Sequence, residues 1–150
     1  MKNIILIFYV IFLVGCSDES VNIDSQSIDK KETFNWRLVT SWPKNYPGLG
    51  MAPERIADLV EEMSDGQMKI TVYGAEEQVP AFGVFDAVSS GSHQMGHSGG
   101  YFWKGKVPAA QFFTSVPFGL TADEINAWVN RGGGLELWRE IYAPFNIYPI

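Results

Sequence analysis

Between Phe34 and Ser98 the hydrophobic pattern switches back and forth between a two-residue and a 3.6-residue period, and this limits the fold more than any other feature of the chain. Phe34-Asn35-Trp36-Arg37-Leu38-Val39-Thr40-Ser41 alternates apolar with polar residues and then turns apolar, which predicts a buried strand. Pro43, Asn45, Pro47, Gly48 and Gly50 force a loop after it. From Met51 to Ser64, Ala52, Ile56, Leu59, Val60 and Met63 recur at helical spacing. Glu54, Arg55, Asp58, Glu61 and Glu62 lie opposite them, so the segment predicts an amphipathic helix stopped by Asp65-Gly66. Met68 to Tyr73 predicts a second strand, with Met68, Ile70 and Val72 on one face. Pro80 opens a second helix carrying Phe82, Val84, Phe85, Ala87 and Val88. A short third strand follows around Gln94 to Ser98. Such alternation implies an α/β fold: a mostly parallel sheet flanked by helices on both faces.

The rest of the folded part reads as helices. Thr121-Ala122-Asp123-Glu124 is a capping box ahead of Ile125, Trp128 and Val129. Gly132-Gly133-Gly134 ends that helix, and Leu135 to Tyr142 starts another, with Leu135, Trp138, Ile141 and Tyr142 on a common face. Asn146 to Ile150 reads as a further strand that the end of the chain interrupts, so the sequence is expected to be truncated.

The amino end has a different character. Lys2 and Asn3 precede an uncharged apolar run from Ile4 to Val14, far shorter than the ~20 residues of a membrane-spanning helix. A positive start, a short apolar core and a small-residue exit describe a secretory signal peptide. Leu13-Val14-Gly15-Cys16 reads further as a bacterial lipobox, in which cleavage leaves Cys16 as a lipid-modified N-terminus. Cys16 is the only cysteine and cannot form an internal disulfide, so lipidation gives the lone thiol a role. Ser17 to Glu32 is polar, with only Val21, Ile23 and Ile28 as sizeable apolar residues, and reads as a flexible tether. The expected organisation is a lipoprotein signal peptide over 1–16, a tether over 17–33 and a folded part over 34–150. The protein would then be held at a membrane in the periplasm through lipid on Cys16. The net charge of −6, with no cluster of Lys and Arg, argues against nucleic-acid binding.

Three patterns invite a reading as chemistry. Gly96-His97-Ser98-Gly99-Gly100 fits the G-x-S-x-G elbow of serine hydrolases, which makes an exported hydrolase using Ser98 the alternative function. That chemistry needs a histidine later in the chain, and none follows His97. His93 and His97 are four residues apart, but a zinc site needs three or four ligands and no helix is expected there. The pairs Glu61-Glu62 and Glu76-Glu77 read as solvated surface. The aromatic residues Trp42, Phe82, Tyr101, Phe102 and Trp103 are more telling, because they fall in or just after loops where the strands end. Open parallel sheets bind ligands outside the carboxyl ends of their strands. Tyr101 is the best candidate for ligand contact, since its hydroxyl can donate to a carboxylate.

Several segments together resemble one family. They are Val39-Thr40-Ser41-Trp42-Pro43, Tyr46-Pro47-Gly48-Leu49-Gly50, Val79-Pro80-Ala81-Phe82 with Val84 to Val88, Met95-Gly96-His97-Ser98, Tyr101 to Lys106, Phe112 to Gly119, and Gly132 to Trp138. In this order they resemble the substrate-binding subunit of tripartite ATP-independent periplasmic (TRAP) transporters, in the branch that binds 2-oxo acids and related carboxylates. The resemblance implies a lobe of a type II periplasmic binding protein, truncated before the second lobe is complete. It implies capture of a small 2-oxo or 2-hydroxy carboxylate and its delivery to membrane permease subunits, without catalysis, and a homodimer at full length. It also implies a sodium or calcium ion beside the substrate. The arginine and the metal ligands are expected beyond Ile150, so no cofactor is expected within this segment. The candidates for substrate binding are Tyr101, Trp42, Phe82, His97 and Trp103, of which the resemblance points to Tyr101 and its neighbours.

Overall fold

In the computed structural model, residues 32–114 and 116–150 are described. The signal peptide, Cys16 and nearly all of the tether lie outside the described residues. The alternating segment forms β1 (Phe34–Thr40), α1 (Met51–Met63), β2 (Met68–Tyr73), α2 (Val84–Ser89) and β3 (Met95–His97). The strands make a parallel sheet in the order β2-β1-β3. The first strand in sequence is thus the central one.

The two faces of the sheet follow from the register. Trp36 lies opposite Ile70 and Leu38 opposite Val72, and Leu38, Ile70 and Val72 pack with Ala57 of α1, flanked by Val60, Met68 and Met95. On the opposite face Val39 packs with Val84 and Ala87 of α2, beside Tyr73 and Val79. Each of the fully buried Leu, Ile and Val side chains among them contributes about 1.5–3 kcal/mol. Gly96, opposite Val39 in the register, allows α2 its close approach: a Cβ there would come within 2.8 Å of Val84 Cγ1 and Val88 Cγ2.

A second core forms beyond the sheet. Phe85, Val107, Ala110 and Tyr142 are buried together, with Trp103, Trp138, Ile141, Phe145 and Ile147 around them. The expected capping box is present: the Thr121 hydroxyl accepts from the Glu124 N–H, and the Glu124 carboxylate accepts from the Thr121 N–H. It opens α3 (Ala122–Arg131). Gly133, at φ 84°, separates α3 from α4 (Gly134–Tyr142) in a left-handed conformation that glycine adopts without strain. The Phe113 ring is stacked between Trp128 of α3 and Trp138 of α4, at 5.4 and 5.2 Å between centroids.

Four expectations change. The strand over Phe34–Ser41 is buried only from Leu38 onward, because β3 covers β1 only at Leu38 to Thr40 and leaves its amino half at an open edge. Helix α1 turns a different face inward. Pro53 and Ala57 are buried with Val60 half-buried, whereas Ile56, Leu59 and Met63 are exposed. Small residues let the helix lie close to the sheet and leave the larger ones at its flank. The helix expected from Pro80 begins instead as a 3-10 turn, Ala81–Gly83, so Phe82 lies outside α2 and is exposed. Asn146 to Ile150 forms no strand. Asn146 turns the chain at φ 56°, Arg139 Nε donates to the Pro149 carbonyl at 3.2 Å, and the Arg139 guanidinium lies 4.4 Å from the Tyr148 ring centroid. These contacts hold the segment against α4.

Candidate functional site

The parallel register brings the carboxyl ends of β1 and β3 side by side, with Thr40 opposite His97. Side chains alternate across a sheet, so Thr40 and His97 share the α1 face while Ser41 and Ser98 fall toward the α2 face. Each pair is joined by a hydrogen bond. Thr40 Oγ1 lies 3.1 Å from His97 Nδ1 and also accepts from the Trp42 N–H at 3.3 Å. Ser41 donates its one hydroxyl proton to the Ala81 carbonyl at 2.7 Å, so its close contact with Ser98 Oγ requires Ser98 to be the donor. Burial holds the His97 imidazole below its ordinary pKa, so the ring is neutral near pH 7.

Aromatic rings gather beyond these strand ends. Trp42 lies 4.9 Å from the His97 ring and 6.1 Å from Phe102, measured between centroids. Phe102 in turn meets Phe82 at 5.0 Å and Tyr101 at 4.5 Å. Four of the five sequence candidates, Trp42, Phe82, Tyr101 and His97, are therefore brought together, with Phe102 linking them. Trp103 turns elsewhere. Its ring packs against Phe85 in the second core and its Nε1 donates to the Tyr142 hydroxyl at 2.6 Å. The cause is the 3-10 helix Gly100–Trp103, whose three residues per turn send neighbouring side chains in three directions. Phe102 was visible in the sequence as one of the loop aromatics, but only this turn shows that it, and not Trp103, faces the others.

The serine-hydrolase pattern does not assemble its machinery. Ser98 is bonded to Ser41, while His97, its neighbour in sequence, directs Nδ1 to Thr40. The other histidine, His93, is buried, with Nδ1 against Ser92 Oγ and with Nε2 unpartnered among the described residues. Ser98 is followed by extended backbone at Gly99 (φ −101°, ψ 130°) and then the 3-10 turn, without the sharp strand-to-helix turn of an elbow. His93 and His97 are each engaged separately, and no group of three or more His, Cys, Asp or Glu side chains gathers for a metal among the described residues. Arg37 donates to the Ser92 carbonyl before β3, away from the strand ends that carry the rings.

A parallel α/β layer with a ring cluster at its carboxyl edge has the architecture of a periplasmic binding protein. The family model for bacterial extracellular solute-binding proteins, family 7, matches residues 38–148. The chain belongs to that family. It is 47% identical over 135 residues to the monocarboxylate 2-oxoacid-binding periplasmic protein of Nostoc sp. strain PCC 7120, a match covering 90% of this chain and 36% of that protein. Among solved structures, it is similar to a TRAP periplasmic solute-binding protein from Pseudoalteromonas atlantica with bound sodium and pyruvate. The TM-score is 0.74 at 46% identity, over 76% of this chain and 35% of that one. It is similar also to one from Colwellia psychrerythraea with bound calcium and pyruvate, with TM-score 0.74 at 42% identity over the same shares. The chain thus spans about a third of the length of these relatives.

Proposed function

We propose that this chain belongs to an extracytoplasmic solute-binding protein of a TRAP transporter, which captures a small 2-oxo or 2-hydroxy carboxylate such as pyruvate and hands it to membrane permease subunits. The observation that carries this reading is the convergence of Trp42, Phe82, Tyr101, Phe102 and His97 beyond the carboxyl ends of β1 and β3. Such a wall encloses the apolar end of a small acid, and the Tyr101 hydroxyl and the neutral His97 ring offer polar contacts. The identity of 42–47% with proteins described as binding pyruvate or 2-oxo acids supports the choice of ligand. Binding would be by closure around the anion, with no bond made or broken, so the protein is not an enzyme.

Three further parts belong to the same reading. Lipid on Cys16 would hold the mature protein at a membrane facing the periplasm. Full-length protein would form a homodimer. A sodium or calcium ion would sit beside the carboxylate.

The test is a thermal-shift and calorimetric titration of the protein from its complete reading frame with pyruvate, larger 2-oxo acids and lactate, with and without sodium or calcium. A ligand at a hundred times its Kd should stabilise by about 2.7 kcal/mol. No stabilisation by any carboxylate, or an esterase activity abolished by Ser98→Ala, would overturn the proposal.

A further inference from the structure

Two glycines precede Tyr101, and different neighbours constrain them. A Cβ on Gly100 would stand 2.5 Å from the Ala110 carbonyl oxygen and 3.1 Å from its carbon, backbone atoms that cannot step aside. The three atoms nearest a Cβ on Gly99 all belong to the Tyr101 side chain, with Cε1 and Cζ at 2.6 Å and the hydroxyl oxygen at 3.0 Å. The Tyr101 ring therefore lies directly over the Cα of Gly99. Gly99 is buried, whereas Tyr101 is 43% exposed and meets the Phe102 ring at 4.5 Å, so the ring rests on the strand end while part of it stays at the surface. The Gly99 backbone is ordinary extended chain at φ −101°, so its conformation does not call for glycine; the room taken by the ring does.

We propose that Gly99 is a specificity-determining position: lacking a side chain, it seats the Tyr101 ring back against the strand end and thereby sets how bulky an acid the site accepts. This rests on the carboxylate-binding reading. A methyl group at 99 closes the seat. The atoms it meets are the outer end of a side chain that rotates about two bonds, so the ring moves and the backbone stays. The ring is displaced away from Gly99, beside the Phe102 ring it already meets at 4.5 Å, and the space beyond β1 and β3 narrows. Gly99 acts through Tyr101 and is a positioning residue.

The experiment uses full-length protein with Gly99→Ala, Tyr101→Ala and the pair combined. Calorimetry measures pyruvate against the branched 4-methyl-2-oxopentanoate. Fluorine NMR of 3-fluorotyrosine-labelled protein follows the Tyr101 signal, assigned by its loss in Tyr101→Phe. Gly99→Ala should move that signal with little change in the unfolding midpoint. It should weaken the branched acid relative to pyruvate by roughly tenfold, the scale of one methylene in an apolar pocket. In the Tyr101→Ala background Gly99→Ala should change neither affinity. An equal loss for both acids, or the same loss without the Tyr101 ring, overturns the inference. Wild-type protein that binds neither acid overturns the carboxylate reading and the size rule with it. A fluorine signal unmoved by Gly99→Ala in protein that binds both acids overturns only this inference.

Discussion

His97 and His93 both lie below the ordinary histidine pKa of 6.5, chiefly because burial penalises the charged ring, and for His93 also because of the Arg37 charge. Their protonation therefore opposes the fold. As the pH falls, the unfolded chain takes up protons before the folded one does, so the contribution to stability is complete above the unfolded value. It is lost as the pH drops below about 6.5 and on through the folded values. Urea midpoints of the full-length protein should decline on acidification from about pH 7 to pH 5, and His97→Gln should remove part of that slope. An unchanged slope would contradict the burial of this ring. The sequence showed both histidines but could not rank them. His97 was expected in the site, yet His93 is the more buried, in a loop where Arg37 donates to the Ser92 carbonyl.

At the scale of elements, the alternating pattern was readable because each period is local: Leu38, Ile70 and Val72 face α1 as their spacing demands. What escaped the pattern depended on partners far along the chain. The inward face of α1 is chosen by small Pro53 and Ala57, and Trp103 leaves the ring cluster because a 3-10 turn intervenes. Gly96 tests the packing of α2. Gly96→Val should destabilise by about 1–3 kcal/mol, measured by denaturant unfolding, since the added atoms collide with Val84 and Val88 in a filled interface. Phe113→Ala should cost about 3–5 kcal/mol by the same measurement, because it empties the space between the Trp128 and Trp138 rings. It should also alter near-ultraviolet circular dichroism from those stacked rings. Thr121→Ala, which removes the cap of α3, should cost about 1 kcal/mol.

For the whole molecule, the sequence carried the α/β class through its alternating periods and the family through short segments spread along the chain, and the family model matches residues 38–148. Placement at a membrane rests on Cys16 alone. Cys16→Ser should move full-length protein from the membrane fraction to the soluble periplasmic fraction on cell fractionation, and a variant that stays membrane-bound would exclude the lipid anchor.

The central position of β1 bears also on the order in which the sheet can assemble. Val39 pairs with Tyr73 on one side and must wait for Gly96, far downstream, before its other edge is paired. A chain threaded amino end first thus exposes its middle strand early and completes it late, and closing such loops before contacts repay the entropy slows folding. This delay keeps the central strand open on one edge until late in folding. Until then the strand also keeps apolar surface bare, since even in the finished fold Phe34 and Trp36 on its amino half stay exposed.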